Sequence, residues 1–176
     1  MIQRFKKAYR RFVFSMSGPE RRSAMLRSEG MKVGKDCFIN TTTLSTEKFL
    51  IEIGDHVVIS TGTYLITHDG SAWVFRDKQP ALDIFGKIKI GDNTFIGTAS
   101  IILPGTTIGK NCIVGAGSVV RGRFPDNSVI MGNPAKTVLN TTFMENFHKV
   151  NKNAMMTKGM KLKEKHDYIK KHFNIV

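Results

Sequence analysis

The chain lacks most of what would mark a secreted, membrane-spanning or nucleic-acid-binding protein. No run of eighteen residues is apolar, so no membrane-spanning helix is expected. The basic N-terminus is not followed by an apolar core and a small-residue cleavage site, so no secretory leader is expected either. There are two cysteines, Cys37 and Cys112. That is too few for a disulfide framework, and both are read as small buried hydrophobes in a reducing cytoplasm. Acidic residues are also scarce: 14 Asp and Glu against 27 Lys and Arg leave a formal charge of +13. The excess is confined to the ends. Residues 1–35 hold ten basic residues against two Glu, and residues 141–176 hold eight Lys against three acids, so the stretch between them is neutral. Basic ends attract anionic lipid, phosphorylated ligands or nucleic acid. Zinc-finger spacing, RNP aromatics and a heptad zipper are all missing, so nucleic acid is not the expected partner.

What the sequence does contain is a repeat. From Ile90 it reads IGDNTF, IGTASI, ILPGTT, IGKNCI, VGAGSV, and then opens VRGRFP. Every line is headed by an aliphatic residue: Ile90, Ile96, Ile102, Ile108, Val114 and Val120. The fifth place of the first five lines is small, with Thr94, Ser100, Thr106, Cys112 and Ser118. Gly91, Gly97, Gly109 and Gly115 hold the second place, where a corner is expected to need unusual backbone angles. A period of six fits neither a helix nor plain strand alternation. It fits a short strand, a corner and a repeat, with the heads pointing inward. The expected fold is an all-β solenoid, a parallel β-helix.

The organisation along the chain follows. Residues 1–30 form a basic helical extension. Ile2, Phe5, Tyr9, Phe12, Val13 and Met16 share one helical face, with Lys6, Lys7, Arg10 and Arg11 largely on another. Gly18-Pro19 separates a second short helix that Gly30 ends. These helices are expected to cap the solenoid or dock on a neighbour or, alternatively, to rest on an anionic membrane through residues 1–16. Residues 31–140 hold the repeats. Their register slips twice, once within LSTEKFLIE and again between Leu65 and Ile90. The second break is read as an excursion loop at 67–88, carrying the only tryptophan, Trp73. Residues 141–176 read as a Lys-rich helical tail, expected to pack along an oligomer or at the solenoid base.

With IGDHVVIS and ITHDGS before the repeats and MGNPAK after them, residues 30–140 resemble the hexapeptide-repeat acyltransferases. Within these they are most similar to sugar O-acetyltransferases of the maltose/galactoside and capsule/lipopolysaccharide type. The resemblance implies a left-handed β-helix, a homotrimer, acetyl-CoA as co-substrate, no required metal, and a small-molecule or lipid-linked sugar acceptor.

Acetyl transfer to a hydroxyl needs a base, oxyanion donors and a groove for the coenzyme. His68 is the candidate base: an imidazole suits proton exchange near neutrality, and it stands where the repeat breaks. The resemblance implies a catalytic histidine at that place. Asp69 either orients the imidazole or serves the turn before Gly70. Asn40, in a place where repeats often have Gly, either tolerates the corner or, as the resemblance implies, contacts substrate at the reaction centre. Glu47 and Trp73 are candidate acceptor contacts. For coenzyme A the resemblance implies Gly97, Thr98, Gly115 and Ala116, with Phe95 where relatives often have Trp. Arg121, Arg123 and Lys136 would suit its phosphates.

Three other readings use the same sequence. N-acyl transfer to an amino sugar or antibiotic needs the same parts. A zinc lyase of the γ-carbonic-anhydrase type needs three converging histidines, of which only His56 and His68 are on the solenoid. A non-catalytic scaffold is the third, since a fold does not fix a function.

Overall fold

The aliphatic heads stack in three columns. In the computed structural model, which describes residues 2–175, the first column is Val33, Ile53, Ile90, Ile108 and Phe124. The second is Ile39, Ile59, Ile96, Val114 and Ile130. The third is Leu44, Leu65, Ile102 and Val120. Each column lies in its own sheet, and every pairing among the heads is parallel. Three sheets closed around one core make a left-handed parallel β-helix of triangular section. Its coils are numbered here from the first-column residue: Val33, Ile53, Ile90, Ile108 and Phe124. The last corner is cut short, since Phe124 follows Val120 by four residues rather than six.

Burial explains the period. The heads from Ile39 to Val120 are buried, apart from a partly exposed Leu44. The small fifth residues fill the space between them and turn their hydroxyls to backbone carbonyls. Ser100 Oγ donates to Gly97 O at 2.8 Å and Gly115 O at 3.1 Å, and Thr106 Oγ1 donates to Leu103 O and Val120 O. A buried hydroxyl is tolerated when it is paired, and among the described residues no buried side-chain nitrogen or oxygen lacks a partner. Cys37 and Cys112 are free and buried, and burial pushes both thiols up.

The repeat glycines have a different cause from the one expected. Gly91, Gly97, Gly109 and Gly115 do not have positive φ. They are needed for close approach: a Cβ on Gly97 would lie 2.5 Å from Ala116 N, and one on Gly91 2.6 Å from Gly109 C. Positive φ falls two places later in each line, on Asn93, Ala99, Gly105, Asn111 and Gly117. At the first corner this makes a ladder. His56 Nδ1 lies 2.8 Å from Asn93 Oδ1, Asn93 Nδ2 donates to Asn111 Oδ1, and Asn111 Nδ2 donates to Asn127 Oδ1.

Both ends of the solenoid are covered. At the start, helix α1 (Ile2–Met16) leads into α2 (Pro19–Ser28), and Phe14, Leu26 and Met31 join the core cluster. The side chains of residues 2–7 and 11 lie outside the described set. Of the face of α1 expected to cap the solenoid or dock on a neighbour, Tyr9, Phe12 and Met16 are 68%, 63% and 75% exposed and Val13 is partly buried, while Phe14 docks at 7%; the side chains of Ile2 and Phe5 lie outside the described set. At the other end, Ser128–Gly132 turns through Asn133-Pro134 and returns antiparallel as Ala135–Asn140, which covers the edge of the second sheet. From Glu145 onward the chain forms a separate compact unit. It holds most of α3 (Thr141–Lys149) and all of α4 (Leu162–His172), with His172 Nε2 3.2 Å from Asn153 Oδ1.

Candidate active site

The two slips in the sixfold spacing fall at the same corner, one coil apart. Nine residues separate Leu44 from Ile53, and twenty-five separate Leu65 from Ile90. Both excesses leave the solenoid at the third corner, where the third sheet turns back toward the first. In the first coil the extra residues make a turn through Ser45–Glu47 and a short 3-10 helix, Lys48–Leu50. In the second, the chain pairs His68–Asp69 antiparallel with Ile84–Phe85, with a 3-10 helix, Gly70–Phe75, at the tip. The neck closes where Gly86 N donates to Thr67 O at 2.8 Å. Gly86 has no alternative there, since a Cβ would sit 2.4 Å from Gly105 N.

Stacking the two excesses brings Glu47 to His68. Glu47 Oε2 is 3.2 Å from His68 Nδ1 and accepts from Thr67 Oγ1 at 2.9 Å, while Thr46 Oγ1 donates to Oε1. The Thr46 hydroxyl does most to lower the Glu47 carboxyl to about 2, against the opposing effect of burial, and Thr67 and His68 add to it. His68 itself is exposed on its outer side. An ionised carboxylate on Nδ1 leaves Nε2 as the proton acceptor. Asp69, the neighbour in sequence, does not touch the imidazole. Its carboxylate accepts from Ser71 N at 2.9 Å, which lowers its pKa, and lies 4.0 Å from Arg121 Nη2. Asp69 therefore shapes the loop and ties it to the fourth coil. The imidazole's partner is Glu47.

Asn40 stands elsewhere, at the second corner of the first coil, with no hydrogen bond to His68. Its Oδ1 accepts from Arg22 Nη1 at 2.6 Å. The rest of that guanidinium is occupied: Nε donates to Phe14 O at 2.9 Å, Nη2 to Ser15 O at 2.7 Å, and the plane lies 5.4 Å from the Phe14 ring centre. Arginine has only donors, so Asn40 must turn its oxygen inward and its Nδ2 outward. Sequence reasoning missed Arg22, and nothing in the residue pattern of α2 marks it.

The candidate coenzyme residues divide between corners. Above Asn40, the second corner continues as Ser60-Thr61-Gly62, Gly97-Thr98-Ala99 and Gly115-Ala116-Gly117, a ledge with no side chain larger than threonine. Thr98, Ala99, Ala116 and Gly117 are exposed, and the space beside Gly117 is open. Phe95 lies on the outer side of the second sheet between Val58 and Ile113. Lys136 is opposite Met131, whose side chain covers Gly115. Arg121, by contrast, is at the third corner near Asp69, and Arg123 points outward on the first sheet beside Thr107. Trp73 is exposed at the loop tip. His56 is at the first corner in the asparagine ladder, so it does not converge with His68.

Within one chain the whole third sheet separates the ledge from the Glu47–His68 pair. At about 3.3 Å per extended residue, six residues put the two corners roughly 15–20 Å apart. A ligand touching both would need the third corner of one copy beside the second corner of another.

The model for the bacterial transferase hexapeptide (six repeats) matches residues 87–122. Protein CapG of Staphylococcus aureus is 46% identical over 151 residues, covering 84% of this chain and 87% of its own length. Other curated relatives are named as acetyltransferases, and the chain spans 34–62% of their lengths. Among solved structures, a maltose O-acetyltransferase from Clostridium difficile superposes with a TM-score of 0.56 at 28% identity, over 73% of this chain and 80% of that one. A hexapeptide-repeat acetyltransferase from Vibrio cholerae, complexed with acetyl coenzyme A, gives 0.57 at 25% identity, over 73% and 81%.

Proposed function

The chain belongs to the bacterial hexapeptide-repeat transferases and is an acetyltransferase, and on that premise we propose that it acetylates a sugar hydroxyl during assembly of a surface polysaccharide. The observation that carries this reading is the Glu47–His68 pair, an exposed imidazole whose Nδ1 faces a carboxylate held by two threonine hydroxyls. The likeness to a maltose O-acetyltransferase supports a sugar as acceptor.

Acetyl-CoA, when bound, supplies the acetyl group as an activated thioester. The small-residue ledge fits an extended cofactor lying close to the backbone, because Thr98, Ala99, Ala116 and Gly117 are exposed and carry no bulky side chain. The amides of Gly97, Ala99, Gly115 and Gly117 already donate to backbone carbonyls, which leaves those of Thr98 and Ala116 as the candidate donors. His68 Nε2 takes the proton of the acceptor hydroxyl as that oxygen attacks the thioester carbonyl, and returns it to the sulfur that leaves as the coenzyme A thiol when the C–S bond breaks. Glu47 keeps the proton on Nδ1 and stabilises the imidazolium that results. Asn40 Nδ2 and backbone N–H groups at the ledge are the donors available to negative charge that develops on oxygen. Lys136 lies on the ledge side for a phosphate, whereas Arg121 and Arg123 serve one only from a neighbouring copy. A homotrimer supplies that neighbour to every subunit by rotation. A cytoplasmic location, peripheral at the inner face of the membrane, completes the reading.

The test is acetyl transfer from acetyl-CoA to a panel of neutral and amino sugars, followed as free thiol. Mass spectrometry before and after mild alkali then identifies the bond. An alkali-labile acetyl ester on a neutral sugar is expected. Acetylation confined to amines, as alkali-stable amides, overturns the O-acetyl reading.

A further inference from the structure

Among the described side chains of α1, apolar residues lie on two sides, and only one side is buried. Phe14 enters the solenoid core, and Arg22 grips the last carbonyls of the helix, Phe14 O at 2.9 Å and Ser15 O at 2.7 Å. Tyr9, Phe12 and Met16 follow one another by three and four residues, and all three are exposed. Phe14 stands roughly 160° around the helix from Phe12, at about 100° per residue. The clamp therefore fixes the stripe facing away from the body of the protein.

We propose that this stripe beds into an anionic lipid surface and holds the enzyme at the membrane. The proposal deepens the peripheral location in the reading above and shares nothing with its chemistry. Charge selects the occupant. The sequence of α1 carries Arg4, Lys6, Lys7, Arg10 and Arg11 and no acid, and Arg10 Nη2 lies 2.6 Å from Glu29 Oε1. An apolar stripe on a basic helix is the pattern of an interfacial segment. A second copy is a poor occupant. Fifteen residues give about two heptads, fewer than the three or four a coiled coil sustains, and pairing would bring two wholly basic helices together. The helix lies on a bilayer rather than crossing it, since no described helix is long and apolar enough to span one.

The test is flotation of the full chain with vesicles of phosphatidylcholine alone and of phosphatidylcholine and phosphatidylglycerol in equal parts. Binding to the anionic vesicles is expected to be at least ~10-fold tighter and to fall as salt rises. Phe12→Asp should weaken it about 10-fold or more, and so should the pair Tyr9→Ser with Met16→Ser. All three positions are exposed, so the fold and acetyl transfer to a soluble acceptor should be unaffected. The proposal is overturned if anionic vesicles are ignored at low salt, or if Phe12→Asp binds them as wild type does. It is also overturned if Phe12→Asp instead dissolves an oligomer in solution, which would make the stripe a contact between copies. A wild-type chain that binds anionic vesicles yet transfers no acetyl group to any sugar of the panel would sink the enzymatic reading and leave this one standing.

Discussion

Glu47 Oε2 lies 3.2 Å from His68 Nδ1, although twenty-one positions separate the two residues. The contact exists because two interruptions of one repeat leave the solenoid at the same corner, and the carboxylate is fixed there by Thr46 and Thr67 before it meets the imidazole.

Replacing His68 by Ala removes the proton acceptor and leaves the core and the ledge intact. Turnover should fall by ~10²–10⁴, the usual worth of a general base. Coenzyme A affinity and melting temperature should barely change. Turnover within a few-fold of wild type would show that His68 is not the base.

Glu47→Gln should reduce turnover less than His68→Ala, and it also gives a pH signature in stability. The Glu47 carboxyl is lowered from 4.5 to about 2 in the folded chain. Between those values the unfolded chain binds more protons, so stability due to Glu47 rises with pH there. The wild type's advantage over Glu47→Gln in urea melts should be complete above pH 4.5 and vanish as pH falls through about 2. An advantage that stays constant across that window would refute the assignment.

Asn40→Asp separates donor from acceptor. Aspartate still accepts from Arg22, so the clamp on α1 survives and the melting temperature should hold. It cannot donate outward, so kcat/KM for the acceptor should drop, by about 10²-fold if Asn40 serves a developing oxyanion. Wild-type kinetics in this variant would remove Asn40 from the site.

The coil glycines can be ranked. Gly97→Ala places a Cβ 2.5 Å from Ala116 N and should cost about 1–3 kcal/mol or more. Gly117→Ala meets open space at φ 70°, a column where Ala99 already sits at 57°, and should cost about 1 kcal/mol. Paired thermal melts decide it, and equal losses would mean that backbone angle, rather than proximity, selects glycine at both.

Sedimentation should give a trimer at micromolar concentration, because the ledge and the Glu47–His68 pair are on different corners of one chain. A fully active monomer would contradict this.

The solenoid was legible because its heads obey one rule: every sixth residue from Ile90 to Val120 points into a single core. The loop and the position of His68 showed as a failure of that rule. Glu47 showed only as a candidate acceptor contact, although the slip that places it was visible. A slip of two residues says that chain is displaced but not toward which corner, so the only acid considered for the imidazole was the nearer one, Asp69, with a turn role as its alternative. Arg22 was hidden for a related reason: its partners are backbone carbonyls and one amide, which no residue pattern encodes. The apolar stripe of α1 was visible in the sequence, but whether it met the solenoid end, a neighbour or a membrane was not. Periodicity gives the faces of a helix, and only packing shows which of them is covered.

Because the strands of each coil pair only with those of adjacent coils, the solenoid also works as a ruler graduated in units of about 4.8 Å, the spacing of paired strands. The Glu47–His68 pair sits on the first two graduations, Arg121 on the fourth, and the return strand with Lys136 beyond the last. One graduation consists of eighteen residues, as from Ile90 to Ile108. Duplicating those residues would move the far end outward by one unit without disturbing the first. The reach between reaction centre and terminal hairpin is thus set by counting coils, a quantity that changes in whole steps.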